Sequence, residues 1–217
     1  MPESETLTLV LIALAWLVYG VVHSWLAGMR LKTFVARRWP GVMPAYRLLF
    51  NGLALLLILP PLALTLLAPG RALWHWPGWI AWPALAVAVA GLLVSLRHYD
   101  GGEFIGSSQW RRGARETHDA GPLTLSPLHR HVRHPWYALG LLLLWTRDLN
   151  AAWLVSAVVV TVYVWLGSRR EEEKLIALYG DAYREYRRRV PAMLPWPGMS
   201  LSSAEAAALV ARARQDA

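Results

Sequence analysis

The sequence predicts an all-α integral membrane protein with five transmembrane helices, the last two paired as a C-terminal helical hairpin, followed by a cytoplasmic amphipathic helix. Three observations predict it. Of 217 residues, 56% are hydrophobic and 17% charged, where a soluble domain carries about 25% charged residues. The deficit is concentrated in long uncharged runs of the length that crosses hydrocarbon. Lys and Arg, finally, gather in alternate connections between those runs.

The first run covers residues 7–27 without a charge, and about 20 helical residues cross roughly 30 Å of hydrocarbon. It is not a cleavable signal: Glu3 and Glu5 stand where a signal carries positive charge. A second span is expected over 48–68, with Pro60 and Pro61 inside it, and a third over 77–96. The connection from Arg97 to His134 is polar and long, which points to function. Residues 136–146 are apolar but half the length of a membrane, about 15 Å. Thr146 to Asn150 break the chain, and a fifth run over 151–168 completes the hairpin. Gly180 is suited to end that helix. Asp181 then starts a short amphipathic helix with Tyr179, Tyr183 and Tyr186 at helical spacing and Arg184, Arg187 and Arg188 facing elsewhere. The segment 169–217 is expected in the cytoplasm. It ends in an Ala-rich surface helix with a capping box from Ser202 to Glu205. The whole chain is read as a single membrane domain over 1–217.

The net charge is +8. The positives sit beside the spans, so they face anionic headgroups, and membrane lipids rather than nucleic acid are the expected partners. Only Arg71 and Arg147, of the 22 Lys and Arg, fall in the opposite connections. This bias places the N-terminus outside and the C-terminus in the cytoplasm, as five spans require; Trp74, Trp76 and Trp79 then form an outer interfacial belt. With no cysteine, disulfides and thiolate sites are excluded.

Two constellations can carry chemistry. Residues 128–137 hold His129, His131 and His134 with Arg130 and Arg133, at the mouth of the half-length run. Pro135 suits a first helical position and His134 the N-cap. A helix N-terminus beside Arg133 suits a carboxylate or phosphate. The histidine spacing does not fit a zinc site, and no metal is expected. The second constellation is Glu171-Glu172-Glu173 at the end of the fifth run. Neighbours on a helix differ by about 100°, so one or two of the three can point inward.

The ordered pattern Arg133-His134-Pro135-Trp136-Tyr137, Glu171-Glu172, Leu175, Tyr179-Gly180, Tyr183, Tyr186, Val190-Pro191 and Pro195 resembles the isoprenylcysteine carboxyl methyltransferase and phospholipid methyltransferase superfamily. Upstream, His23-Ser24, Tyr46-Arg47, Asn51, Tyr99-Asp100, Glu103-Phe104, Gly106 and Gln109 are similar to the methanethiol S-methyltransferases and the related NnrU-like membrane proteins. Gly101-Gly102 depart from the apolar pair of the thiol enzymes. The resemblance implies a bacterial inner-membrane methyltransferase using S-adenosylmethionine at a cytoplasmic pocket, with a small or lipophilic acceptor: a thiol, a prenylcysteine carboxylate or a lipid. It implies cofactor binding by Arg133, His134, Tyr137, Glu171 and Glu172, catalytic roles for His134, Arg133 and Glu172, and acceptor contacts from His23, Asn51 and Tyr183. A carboxylate suits the cofactor's ammonium or ribose, and a neutral thiol wants a base such as His131 or His134. The alternative is an NnrU-like haem protein or isomerase with His23 or His98 as axial ligands.

Overall fold

A computed structural model describes residues 3–68, 70–98, 100–115 and 123–216. The described residues form nine α-helices and two 3₁₀ turns, with no strand. The helices are α1 (Glu3–Leu26), α2 (Met29–Arg38), α3 (Tyr46–Leu67), α4 (Gly78–Leu96), α5 (Gly101–Ile105), α6 (Ser107–Arg112), α7 (Pro135–Trp145), α8 (Ala151–Arg189) and α9 (Ser203–Asp216).

Four of them, α1, α3, α4 and α8, are long and apolar enough to cross a membrane, α3 together with the 3₁₀ turn before it. Most of their apolar side chains face outward: Val21 is 69% exposed, Leu55 67% and Leu67 82%. Apolar surface on this scale is stable against lipid and not against water. This is an integral membrane protein. The expected half-length fourth run is α7, eleven residues long, or about 16 Å. Helix α1 starts earlier than the hydropathy alone marks, because Glu3 and Glu5 occupy its first turn, where acid meets the positive end of the helix dipole.

The chain divides into two compact units. The first comprises Met1–Trp76, Tyr99–Asp119 and Arg147–Tyr163. In it α1 packs on α3, and the indole of Trp16 donates to Ser156 at 2.9 Å and to Thr65 at 3.3 Å. Pro60 and Pro61 are accommodated within one continuous α3, with Thr65 Oγ1 donating to the Pro61 carbonyl at 2.7 Å. The connection after α4 is not a bare linker. Asp100 caps α5 by accepting from the Glu103 amide at 3.0 Å, and Gly106 turns the chain in a left-handed conformation (φ 103°) into α6. A Cβ at Gly106 would stand 2.8 Å from Arg47 Cβ and from the Leu48 amide nitrogen, so this glycine is what lets α5 and α6 sit on α3.

The second unit comprises Pro77–His98, Ala120–Thr146 and Val164–Ala217. Helices α4 and α7 pack closely. Trp136 Nε1 donates to the buried Ser95 hydroxyl at 2.7 Å, and Gly91 leaves the space that Leu139 fills. Helix α8 continues into this unit and bends at Gly180, whose backbone (φ 53°, ψ −130°) is not helical. Glycine adopts such angles without a Cβ penalty, so the expected stop is a sharp bend into a further helical stretch. The capping box forms as expected: Glu205 accepts from the Ser202 amide at 2.7 Å and Ser202 from the Glu205 amide at 3.3 Å. The last helix differs from the surface helix expected. Its Ala206, Leu209 and Ala213 are buried in one core with Tyr179, Tyr183, Tyr186 and Val190.

Candidate functional site

The candidate site lies in the second unit, where three segments converge. Pro135 opens α7, and His134, with a non-helical backbone (φ −121°, ψ 70°), is its N-cap. The two residues before Pro135 are held by backbone bonds: the Arg133 amide donates to the Pro191 carbonyl at 2.9 Å and the His134 amide to that of Ala192 at 2.9 Å. This fixes the start of the half-length helix against the chain that follows α8. The charged end of α8 supplies Glu171 and Glu172 to the same place.

Glu172 is 5% exposed. Its Oε1 accepts from Arg133 Nε at 2.8 Å, from Arg133 Nη2 at 2.6 Å and faces His134 Nε2 at 3.1 Å. Its Oε2 lies 3.2 Å from Arg187 Nε. The remaining Arg133 nitrogen, Nη1, donates to the carbonyls of Arg187, at 2.9 Å, and Val190. A buried carboxylate costs several kcal/mol unless paired and hydrogen-bonded, and here both oxygens are taken. Burial pushes the Glu172 carboxyl up. The hydrogen bonds from His134 and Arg133, and the charge of both, outweigh it and hold the group below its ordinary value.

Glu171 has a different setting. Its side chain is 48% exposed. Its Oε2 accepts from the Tyr137 hydroxyl at 3.3 Å and lies 3.6 Å from His134 Nδ1. His134 and Tyr137 stack with ring centres 5.5 Å apart and planes inclined by 18°. His134 thus turns one nitrogen to each glutamate. Glu173 is exposed.

Behind this cluster, Tyr186 donates to the His129 carbonyl at 2.7 Å, and Ser126 Oγ lies 2.7 Å from His129 Nδ1. Burial, reinforced by the positive neighbours His134 and His98, pushes the His129 imidazole down to about 4. His131 is exposed and lines an open groove of about 380 Å³ with Pro195, Trp196, Pro197 and Met199.

Five of the predicted site residues, Arg133, His134, Tyr137, Glu171 and Glu172, therefore meet. Tyr183 is 2% exposed, edge-on to Tyr186 in the core beside them. His23 and Asn51 belong to the first unit. His23 Nδ1 lies 2.7 Å from the Tyr163 hydroxyl. Asn51 Nδ2 donates to the carbonyls of Phe104, at 3.1 Å, and Ile105, at 2.8 Å, and Arg47 Nε reaches the Phe104 carbonyl at 3.3 Å. These bonds satisfy the carbonyls that the end of a helix leaves open. Tyr99 lies outside the described residues. His98 Nδ1 lies 3.0 Å from the Val94 carbonyl.

Two participants were not expected. Arg187, read as facing away with Arg184 and Arg188, reaches Glu172 through its long side chain, Nε to Oε2 at 3.2 Å. Tyr163 had no signal, because a tyrosine inside an apolar run reads as another membrane residue. Among the described residues, no group of three His, Asp or Glu side chains is arranged to hold a metal.

The chain is 31% identical over 215 residues to methanethiol S-methyltransferase 1 of Bradyrhizobium diazoefficiens, an alignment that takes in 89% of this chain and 68% of that enzyme. It is 39% identical over 71 residues to the methanethiol S-methyltransferase of Crocosphaera subtropica, covering 32% of this chain and 28% of the relative. The enzyme of that name from Pseudomonas deceptionensis is 31% identical over 119 residues, 54% of this chain and 43% of the relative. No protein-family model matches the chain, and no solved structure does. With this similarity to the Bradyrhizobium enzyme over most of its length, the chain belongs to the methanethiol S-methyltransferase family.

Proposed function

We propose that this protein is an S-adenosylmethionine-dependent methyltransferase that methylates a small thiol such as methanethiol. We further propose that it works from the inner membrane of a bacterium, with five spans counting α7. Its N-terminus is then outside, and 169–217, including the short amphipathic stretch, is in the cytoplasm.

One observation carries the reading. Two short motifs, 38 residues apart at His134 and Glu172, form one buried ionic cluster at the start of a half-length helix. Burying that much charge is expensive, and it is retained here beside an apolar interior.

The residues present fit the methyl donor. Its ammonium and ribose hydroxyls want a carboxylate, and Glu171 is a half-exposed carboxylate held by Tyr137 and His134. The His134–Tyr137 stack offers a flat face to a nucleoside base. When bound, the donor supplies a methyl carbon made electrophilic by a sulfonium. The chain's work is then to bind and align, because a direct displacement gains most from positioning. In this reading Glu171, His134 and Tyr137 contact the donor. Arg133 and Glu172 hold the helix start and the chain after Val190 in place. His23 and Asn51 serve the acceptor.

Calorimetry with S-adenosylhomocysteine tests this. The purified protein is expected to bind it. Glu171→Gln should weaken binding at least tenfold with little change in melting temperature. Glu172→Gln should lower the melting temperature as well, since it leaves the Arg133 guanidinium buried without its counter-charge, at a cost of about 3–5 kcal/mol. An intact protein that binds no S-adenosylhomocysteine would remove the proposal.

A further inference from the structure

We propose that His23 and Tyr163 form the pair that receives the small thiol and takes its proton, a proposal resting on the thiol methyltransferase reading above. The reaction needs a proton acceptor, because a thiol reacts as its thiolate. His134 is poorly placed for that task, since both of its nitrogens face carboxylate oxygens. His129 has Ser126 on Nδ1.

In the first unit, α1 and the first part of α8 are joined at two levels, each seven residues apart on its helix, or about 10 Å. At one level the Trp16 indole donates to Ser156 and Thr65. The two hydroxyls lie 2.7 Å apart, and the carbonyls of Pro61 and Ala152 stand within hydrogen-bond reach of Thr65 and Ser156 on their own helices. Ser156 and Thr65 are wholly buried. Every polar atom there has its partner, and the network staples helices together as polar groups in membrane proteins do.

The other level is built differently. His23 Nδ1 lies 2.7 Å from the Tyr163 hydroxyl, and Ser24 Oγ donates to the same oxygen at 3.5 Å. Among the described residues, His23 Nε2 has no hydrogen-bond partner. The pair is half-buried. Tyr19 and Phe50 flank the imidazole at 5.5 and 5.0 Å between ring centres. Tyr163 lies against the bare backbone of Gly20, where a Cβ would come within 2.9 Å of the ring. One imidazole nitrogen is anchored, the other carries no hydrogen bond among the described residues, and aromatic rings stand beside the imidazole. Such rings favour contact with a polarisable sulfur, and an ionisable side chain at membrane depth is costly to keep without use.

The step balances at named atoms. The thiol S–H bond breaks, the proton passes to His23 Nε2, and the bonding pair stays on sulfur. The imidazolium then donates through Nδ1–H to the Tyr163 oxygen, which steadies it. The thiolate is left to take the methyl group.

The test uses the full-length protein in detergent, methanethiol as acceptor, dimethyl sulfide as the measured product, and S-adenosylhomocysteine binding as an independent readout. His23→Gln is expected to bind S-adenosylhomocysteine as the wild type does. Its kcat/KM for methanethiol should fall about 100-fold at neutral pH. It should then recover with rising pH as thiolate forms in solution. Tyr163→Phe keeps the ring against Gly20 and should lose about tenfold. Ser156→Ala, at the stapling level, should lower the melting temperature and keep the wild-type pH profile. A His23→Gln protein with wild-type kcat/KM and pH profile overturns the proposal. If that variant also loses S-adenosylhomocysteine binding, Tyr163→Phe decides, and an unchanged kcat/KM there overturns it. A wild type that binds no S-adenosylhomocysteine instead defeats the functional reading on which the pair depends.

Discussion

Histidine 129 carries a pH dependence that can be worked out from its surroundings. It is enclosed by the segment before α7, with Ser126 on one ring nitrogen. Burial, then the charges of His134 and His98, bring its folded value to about 4, against about 6.5 for an unfolded histidine. Between those values the unfolded chain holds a proton that the folded chain refuses. Stability contributed by this group is therefore complete above about pH 6.5 and declines as pH falls towards about 4, by roughly 3 kcal/mol at most. Glu172 acts in a lower window. Its folded value lies below the ordinary carboxylate range, so its contribution is present above that range and is lost in stronger acid. Thermal melts from pH 7.5 to pH 4.5 should show the first decline, and His129→Gln should remove it while the loss at lower pH remains. A wild type whose melting temperature is flat across that window would refute the assignment.

Among the elements, the sharpest dependence falls on the bend at Gly180. With φ at 53°, a residue bearing Cβ is strained, and Gly180→Ala should cost about 1–2 kcal/mol. Because the bend brings Arg187 to Glu172, the same change should loosen S-adenosylhomocysteine binding. A Gly180→Ala protein with unchanged melting and binding would show that the bend is not needed. This glycine was legible, since a turn-former after a long periodic run is a local signal. The spans were legible too, from length and hydropathy, with ends shifted by only a few residues where Glu3 and Glu5 could begin a helix. What stayed hidden was pairing at a distance. That Arg133 spends its guanidinium on Glu172 and on the carbonyls of Arg187 and Val190 follows from contacts 39 to 57 residues away, and no periodicity encodes them. The covered face of α9 was hidden because alanine and leucine at helical spacing suit either water-edge or core. Asn51 shows the same limit: its amide nitrogen donates to the carbonyls at the end of α5, a pairing more than 50 residues away that no local spacing encodes.

At the scale of the whole molecule, charge placement is what supports the proposed orientation. Twenty of the 22 Lys and Arg lie in the loop after α1, in the loop after α4 or beyond the apolar part of α8. Positive residues close to spans are retained on the cytoplasmic side, which supports the proposed topology, with all three regions in the cytoplasm and the connections holding Arg71 and Arg147 outside. In the first unit those two connections are zipped together: the Leu73 and Trp74 amides donate to the Leu149 carbonyl at 2.7 and 3.1 Å, and the Leu149 amide returns to the Trp74 carbonyl at 3.0 Å. His75 and Asp148 add an exposed ion pair at 3.0 Å, and Arg147 lies over the Trp153 ring. The proposed five-span topology, which counts α7 as a crossing, puts these two turns on the same side of the bilayer. The absence of cysteine gives a clean background for a direct test. Single cysteines at Ala72 and Asn150 should react with a membrane-impermeant maleimide added to intact cells. Single cysteines at Ser108 and Ser200 should react only after the membrane is opened. Labelling of Asn150→Cys together with Ser108→Cys from outside would mean that α7 does not return the chain across the bilayer, and the five-span topology would fall.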